Sequence, residues 1–542
     1  MLYKNILKRS IRSQKSELPV FNRIFFSALS GLLLTGAFPN IGFDWLAWFA
    51  LVPLMFCLRD ISLKEGFQFG FITGLTHYLT LTYWVVYTMK TYGYLPMYLC
   101  IPVLFLLSSY LALYVASFSA GLTMMGKKPL ISFIIIPVLW VSLEYIRAFL
   151  FSGFPWELLG YSQFNRLHII QISDICGVYG VSFLIALSNS MIFMIMLHMT
   201  GKDWQGAKIS KPLAAGAAAV LIFAFGLVWF YGKWRVDSVD SLISASKSAN
   251  VTIVQGNIDQ ARKWDPAFRV PSMKKYIDMS LSAKSHKPDL IVWPETATPF
   301  YFLLHNIRMT EMVLRGIRDV GVPCLTGSPS FIRREDHTEY RNTAYLVGPD
   351  GKLLGKYDKV HLVPFGEYVP LKKWLPFLGK MVEHVGDFEP GKEGNTILLG
   401  DYSIGVQICY EIIFPNLSRA MAENNAALLV NITNDAWYGK TGAPYQHFSM
   451  TVFRAVENKC SLVRSANTGI SGFIDPAGRI IASTDLFQDA VVTRSVPLIQ
   501  TKTFYTRYGD IFAILCLIVT ASFLIRRKFK ISEKVSRSKT LR

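Results

Sequence analysis

Asp401-Tyr-Ser-Ile-Gly-Val-Gln-Ile-Cys409-Tyr-Glu411 is a short β-type apolar run that stops at a cysteine and an acid. In layered α/β folds the strand ends are where reactive groups collect. Two more polar clusters lie upstream in apolar surroundings: Trp293-Pro-Glu295-Thr and Lys356-Tyr-Asp-Lys359-Val-His-Leu-Val-Pro-Phe-Gly-Glu367. A carboxylate, a lysine and a cysteine are the parts of a thiol acyl-transfer centre. The thiolate is the nucleophile, and it needs a base or a nearby cation to form. Glu295 is the candidate base, taking the thiol proton and returning it to a leaving group. Lys359 supplies fixed positive charge for a tetrahedral oxyanion, and the backbone N–H of Tyr410 is the candidate second donor. Glu367 is placed to hold the lysine or its loop. Glu411 faces the site only if the chain turns sharply at the cysteine.

The surroundings of these clusters read as α/β. Short strand-like runs cover 250–255, 289–293, 322–327, 343–347, 403–408, 427–431, 461–464, 471–474 and 480–483. Helix-compatible stretches fall near 271–285, 306–320, 414–424 and 445–459. Strands alternating with helices predict a layered α/β domain. Glu295, Cys409 and Asn431 each fall at the end of such a run, and Asn431 leads into Asn434-Asp-Ala-Trp437-Tyr-Gly.

The rest of the chain reads as membrane. It has 542 residues, of which 51% are hydrophobic, 14% aromatic and only 17% charged; a soluble chain carries about 25% charged residues. Runs long enough to cross a bilayer are expected near 21–38, 43–58, 66–88, 95–125, 129–149, 175–199 and 211–232, with an eighth near 508–526. The run 43–58 is short, and tilted or partly re-entrant placement stays open for it. The first run lacks a clear cleavage site and reads as an uncleaved anchor rather than a signal peptide.

The net charge of +19 comes from 56 Lys and Arg against 37 Asp and Glu. These basic residues crowd the two ends and the short loops Arg59 to Glu65, Gly126 to Lys128 and Lys202 to Lys211. That placement fits membrane topology rather than a nucleic-acid groove, so no nucleic-acid partner is expected. Both ends are expected in the cytoplasm and 233–507 on the outer face. This gives three units: 1–232 in the membrane, 233–507 catalytic, and 508–542 as a last span and basic tail. Glu144, Arg147, Glu157 and Asp174 lie in or beside spans, where polar groups are costly. A Glu144–Arg147 pair at helical spacing is the plainest reading of the first two.

Seven cysteines carry no C-x-x-C pair and no metal-type spacing, which argues against a disulfide scaffold. No metal and no cofactor is expected. Walker A, H-E-x-x-H, G-x-G-x-x-G and G-x-S-x-G patterns are all absent.

Trp-Pro-Glu295, Lys359-Val-His-Leu-Val-Pro-Phe-Gly-Glu367 and Cys409-Tyr-Glu411 resemble the Glu-Lys-Cys triad of the nitrilase or carbon–nitrogen hydrolase superfamily, over about 250–490. The resemblance implies an αββα sandwich. A domain of this kind preceded by seven spans and followed by one is similar to the apolipoprotein N-acyltransferase family. Gly153-Phe-Pro-Trp156-Glu-Leu-Leu-Gly160-Tyr161-Ser-Gln163 resembles a segment of that family too. The fold class so implied is a polytopic α-helical membrane domain of about eight spans plus the sandwich. The resemblance implies a ping-pong reaction. A phospholipid acyl donor acylates Cys409, and the N-terminal amine of a diacylated apolipoprotein accepts the chain.

Pro370-Leu-Lys372-Lys373-Trp374-Leu-Pro-Phe377-Leu-Gly-Lys380 mixes aromatic and basic residues suited to a headgroup region. It is a candidate membrane-lying arm over Cys409. Trp264, Trp374, Phe377 and Trp437 are candidate substrate contacts. Two other readings remain: a membrane-anchored amidase or nitrilase, and a transporter or receptor with a non-catalytic binding domain.

Overall fold

The computed structural model describes residues 18–125, 129–305, 307–370 and 387–540. In the N-terminal half, helices Val20–Gly36, Leu63–Leu81 and Met97–Thr123 pack closely. Ser62 starts the second of these with a capping box, its side chain accepting from the Glu65 N–H while the Glu65 carboxylate accepts from the Ser62 N–H. Gly66, Gly70 and Gly74, one turn apart, let two of the helices touch backbone to backbone. A Cβ on Gly74 would lie 2.7 Å from the Cα of Ala112, so only small residues fit the seam.

Four described helices are long and apolar enough to cross a membrane: Met97–Thr123, Pro129–Phe149, Val178–Met199 and Lys211–Ala245. The expected count of about eight is not reached by that measure. The stretch 43–58 is a clear correction. It breaks into a single turn, Asp44–Trp48, and a six-residue helix, Val52–Cys57. At 1.5 Å per residue that helix is about 9 Å long, against a hydrocarbon core of about 30 Å. Pro53 sits at the start of the second piece, where its ring is tolerated but cannot continue a preceding helix. The run expected at 66–88 is also divided, into Leu63–Leu81 and Trp84–Thr91. The run expected to stop at 232 continues as one helix to Ala245.

Glu144 and Arg147 do not pair with each other. The Glu144 carboxylate accepts from Trp140 Nε1 (3.0 Å) and the Leu159 N–H (2.7 Å). Arg147 donates to the Tyr78 hydroxyl (2.9 Å) and the Trp156 carbonyl (3.3 Å). Together they staple the loop carrying Trp156 to the helices. Asp174 joins three elements: it accepts from Tyr231 Oη at 2.7 Å, pairs with Arg235, and lies 3.7 Å from Lys459 Nζ.

The second half is a sandwich of two six-stranded sheets. The strands are β1 (Ser248–Gln255), β2 (Leu290–Val292), β3 (Cys324–Arg333), β4 (Thr338–Val347), β5 (Leu353–Asp358), β6 (Thr396–Leu399), β7 (Tyr402–Ile408), β8 (Ala426–Thr433), β9 (Ser461–Ala466), β10 (Gly472–Ile474), β11 (Ile480–Ser483) and β12 (Ala490–Pro497). One sheet runs β12-β1-β2-β3-β4-β5 and the other β11-β10-β9-β8-β7-β6. β1, β2 and β3 are parallel, as are β7, β8 and β9.

Alternation along the strands builds the layers. Leu290 and Val292 face the core shared with Ile404, Val406, Ile408 and Leu428 of the other sheet. Ile291 and Trp293 face the opposite way, against Met273, Tyr276, Val313 and Ile317 of helices Pro266–Ser282 and Ile307–Val320. Helices Pro415–Glu423 and Ala443–Asn458 cover the second sheet. The αββα layering expected from the sequence is the observed one.

The two halves dock through aromatic and polar contacts. Trp156 Nε1 donates to Gln446 Oε1 at 2.9 Å, and the Trp156 ring stacks on His447 with centroids 5.6 Å apart. Ser449 donates to Glu157 at 3.2 Å.

Candidate active site

The C-terminal ends of β1, β2, β7 and β8 and the loop after β5 bring the polar clusters together. β7 ends at Ile408, and Cys409 takes φ +54°, a left-handed conformation. For a non-glycine residue this costs about 1–3 kcal/mol and persists only where the surroundings impose it. The chain then coils through a single turn, Cys409–Ile413. The bend is sharp, so Glu411 turns inward. Its Oε2 accepts from the Ile408 N–H (2.7 Å), and its Oε1 accepts from Val360 N–H (2.6 Å), His361 N–H (3.0 Å) and Tyr357 Oη (3.0 Å). Glu411 therefore pins the lysine loop to the cysteine turn. Burial pushes its carboxyl up to about 7, against the opposing pull of Ile408 N–H and Lys359.

Glu295 leaves β2 after Pro294, and Thr296 takes φ +49°. Gly327 on β3 makes room for that turn: a Cβ there would lie 2.5 Å from the Thr296 nitrogen. Lys359 follows β5, with its N–H donating to the Asn342 carbonyl at 2.8 Å. Its ammonium lies 2.9 Å from Glu367 Oε1 and 3.7 Å from Glu295 Oε1. Glu367 Oε2 accepts from the Val363 N–H at 2.8 Å, closing the loop on itself. Burial alone would lower the Lys359 ammonium, but Glu367 and Glu295 outweigh it and hold the group above its usual range.

Cys409 is 7% exposed, Glu295 6% and Lys359 2%, so any charge formed here is poorly solvated and strongly felt by its neighbours. Burial raises the Cys409 thiol to about 12; the Glu295 charge adds to the rise, while Lys359 opposes it. The resting sulfur is thus a thiol, and a base must act as it attacks. Glu295 Oε1 is already held by Asn342 Nδ2 at 2.9 Å, while Glu295 Oε2 is buried with no hydrogen-bond partner. One carboxylate oxygen is oriented and the other is free to receive a proton.

The other sequence candidates fall as follows. Tyr410 is buried, its ring edge-on to Phe414 at 5.2 Å. Trp264 is about half exposed, beside rather than inside the cluster. Trp437 packs edge-on against Tyr92 at 4.9 Å, and its carbonyl accepts from Thr88 Oγ1 at 2.9 Å, so it contributes to the contact between the two halves. Trp374 and Phe377 lie outside the described residues. No group of three or more metal-type side chains occurs among the described residues.

Sequence reasoning missed several members. Asn342 Nδ2 donates to Glu295 Oε1 at 2.9 Å and to Glu367 Oε1 at 3.0 Å, bridging both carboxylates. It follows Thr338, Glu339, Tyr340 and Arg341 in β4, so one more polar residue there gave no local signal. Lys263 Nζ donates to the Glu295 carbonyl at 3.0 Å; set between Arg262 and Trp264, it carries no local mark of a buried position. Behind Cys409, Arg464 Nη2 donates to Asp435 Oδ2 at 2.8 Å, and Asp435 Oδ1 lies 3.0 Å from His447 Nδ1. Arg464 also donates to Asn431, whose Nδ2 donates to the Cys409 carbonyl at 3.4 Å. His361 stacks on Phe414 at 3.7 Å, and burial together with Lys359 lowers it to about 4, leaving a neutral imidazole at physiological pH.

A sandwich with glutamate, lysine and cysteine at strand ends is the carbon–nitrogen hydrolase arrangement, and the family model described as "Carbon-nitrogen hydrolase" matches residues 250–504. A second model, "Apolipoprotein N-acyltransferase N-terminal domain", matches residues 30–191. The chain is 44% identical to the apolipoprotein N-acyltransferase of Geobacter metallireducens over 507 residues, covering 93% of this chain and 95% of that protein. It is 31% identical to that of Methylococcus capsulatus, covering 92% and 95%. It is 32% identical to that of Rickettsia typhi, covering 83% and 87%. The chain belongs to the apolipoprotein N-acyltransferase family. It is an acyltransferase of a bacterial membrane family.

Proposed function

We propose that Cys409, Glu295 and Lys359 carry an acyl chain from a phospholipid to the N-terminal amine of a diacylglyceryl-cysteine on an apolipoprotein. Cys409 Sγ attacks the ester carbonyl carbon as Glu295 Oε2 takes the thiol proton. The oxyanion faces the Lys359 ammonium and the Tyr410 N–H. The C–O bond breaks, Glu295 returns the proton to the leaving alkoxide, and a lysophospholipid departs from a Cys409 thioester. The amine of the second substrate then attacks the thioester. Glu295 accepts its proton and passes it to the leaving sulfur, so the free thiol and an amide result.

The observation that carries this reading is the buried, unpartnered Oε2 of Glu295, whose charge acts on the Cys409 thiol, with its sister oxygen fixed by Asn342. A thiol raised to about 12 by burial reacts by losing its proton during attack, which suits an enzyme whose nucleophile waits for a lipid ester. The proposal extends to topology: residues 233–507 on the outer face of the cytoplasmic membrane, both termini inside, and Trp264, Trp374, Phe377 and Trp437 around the substrates.

The test is intact mass after incubation with phospholipid alone. A single acyl adduct on Cys409 is expected, lost on adding a diacylated lipopeptide and absent from Cys409→Ser. An adduct lost equally fast to water favours a hydrolase. A Cys409→Ser protein with full function favours a transporter or receptor.

A further inference from the structure

Lys263 has no part in the steps above, yet it is buried against them. It ends a short helical turn, Gln260–Lys263, that follows β1, and Asp259 caps the turn by accepting from the Ala261 N–H. Gln260 Oε1 accepts from Asn434 Nδ2 at 2.7 Å, which docks the turn on the end of β8 beside Cys409. Lys263 is 3% exposed while its neighbour Trp264 is 48% exposed, so the turn drives the lysine inward. An ammonium has three donors. The Glu295 carbonyl, at 3.0 Å, is the only acceptor it meets among the described residues. A buried cation with two uncommitted N–H groups is expensive unless a negative charge arises nearby. The two titratable groups acting on it are Glu295, from the end of β2, and Cys409, from the end of β7.

We propose that Lys263 is a second cationic positioning residue, which clamps Glu295 through its carbonyl and supplies the positive charge that balances the negative charge passing between Cys409 and the substrate oxygen. Lys359 is already shared between two carboxylates, so a site with it alone carries more negative than positive charge. Lys263 adds a second cation against Glu295, Glu367 and Glu411, the last held near neutrality by burial. Burial lowers the Lys263 ammonium to about 8, with Glu295 and Cys409 opposing the fall. The added charge is therefore present at neutral pH and lost above about pH 8. This inference rests on Cys409 being the acylated nucleophile.

The experiment measures single-turnover acylation of Cys409 by phosphatidylethanolamine in detergent micelles, read by intact mass, for wild type, Lys263→Gln and Lys263→Met. Glutamine keeps a donor for the Glu295 carbonyl without the charge. Both variants are expected to acylate about tenfold more slowly or worse at about pH 7, the equivalent of one pKa unit or more. The ratio of wild-type to Lys263→Gln rate is expected to shrink towards one as pH rises from about 7 to about 10. A Lys263→Gln rate within about threefold of wild type at neutral pH overturns the proposal, since the hydrogen bond alone would then suffice. So does a ratio constant with pH, which marks a structural role. A wild-type protein forming no Cys409 adduct sinks the nucleophile assignment instead.

Discussion

Replacing Asn342 with leucine tests the site at its least obvious point. The two side chains are nearly isosteric, and Asn342 is buried with Oδ1 making no hydrogen bond, so no protein donor loses its acceptor. What is lost is the pair of Nδ2 donations to Glu295 at 2.9 Å and Glu367 at 3.0 Å. Hydrogen bonds to charged groups contribute about 1.5–3 kcal/mol each. Both carboxylates keep Lys359, at 3.7 Å and 2.9 Å, so the lower end applies and the pair sums to about 3 kcal/mol. If that orientation is needed when Glu295 takes the thiol proton, acylation of Cys409 slows about 100-fold, at about 1.4 kcal/mol per factor of ten. The assay is single-turnover acylation followed by intact mass, with thermal unfolding run alongside. An Asn342→Leu protein that acylates within about threefold of wild type, at an unchanged Tm, would refute the argument that Asn342 orients the base.

Glu295→Gln is expected to abolish acyl transfer yet speed alkylation of Cys409 by iodoacetamide at alkaline pH. The Glu295 charge helps raise the thiol, so removing it lowers the thiol and enlarges the thiolate fraction; slower alkylation would contradict this sign. Asp174→Ala leaves Arg235 without its carboxylate and removes the contact to Lys459 of the other half, which keeps Gln171 at 2.6 Å. Breaking a buried pair in this way costs about 3–5 kcal/mol, to be seen as a lowered Tm; an unchanged Tm would show the contact to be idle. Trp374→Ser with Phe377→Ser is expected to slow acylation from phospholipid vesicles more than from a soluble ester, and equal losses would remove the arm from the account.

Much of the sandwich was legible because buried strands announce themselves. β2, β7, β8 and β9 are short apolar runs, and every one was anticipated within a few residues. β5, β6 and β12 were not. β5 contains Gly355 and Lys356 and is mostly accessible, and β12 exposes Thr493 and Arg494 in part; the composition of such edge strands hardly differs from that of loops. The membrane half was legible only in part, for a related reason. Hydropathy registers how apolar a run is but not whether it continues as one helix, so the break between Trp48 and Val52 was invisible.

The candidate Glu295, Lys359 and Cys409 were legible as three residues at strand ends, and the residues packed around them were not. Nothing local in Arg341-Asn342-Thr343 or Arg262-Lys263-Trp264 marks an active-site residue. β4 carries Asn342 beside the lysine loop, and the turn after β1 carries Lys263 beneath Glu295, only once the strands have aligned. The sequence by itself picked out the candidate nucleophile, acid and lysine, because each chemistry admits few residue types and each stands where a strand ends. Only the tertiary structure decided their charge states and freedom. Burial protonates Cys409, two carboxylates hold Lys359 charged, and Asn342 commits one oxygen of Glu295 while leaving the other free. These properties belong to distances between residues far apart in the chain, and no window of sequence contains them.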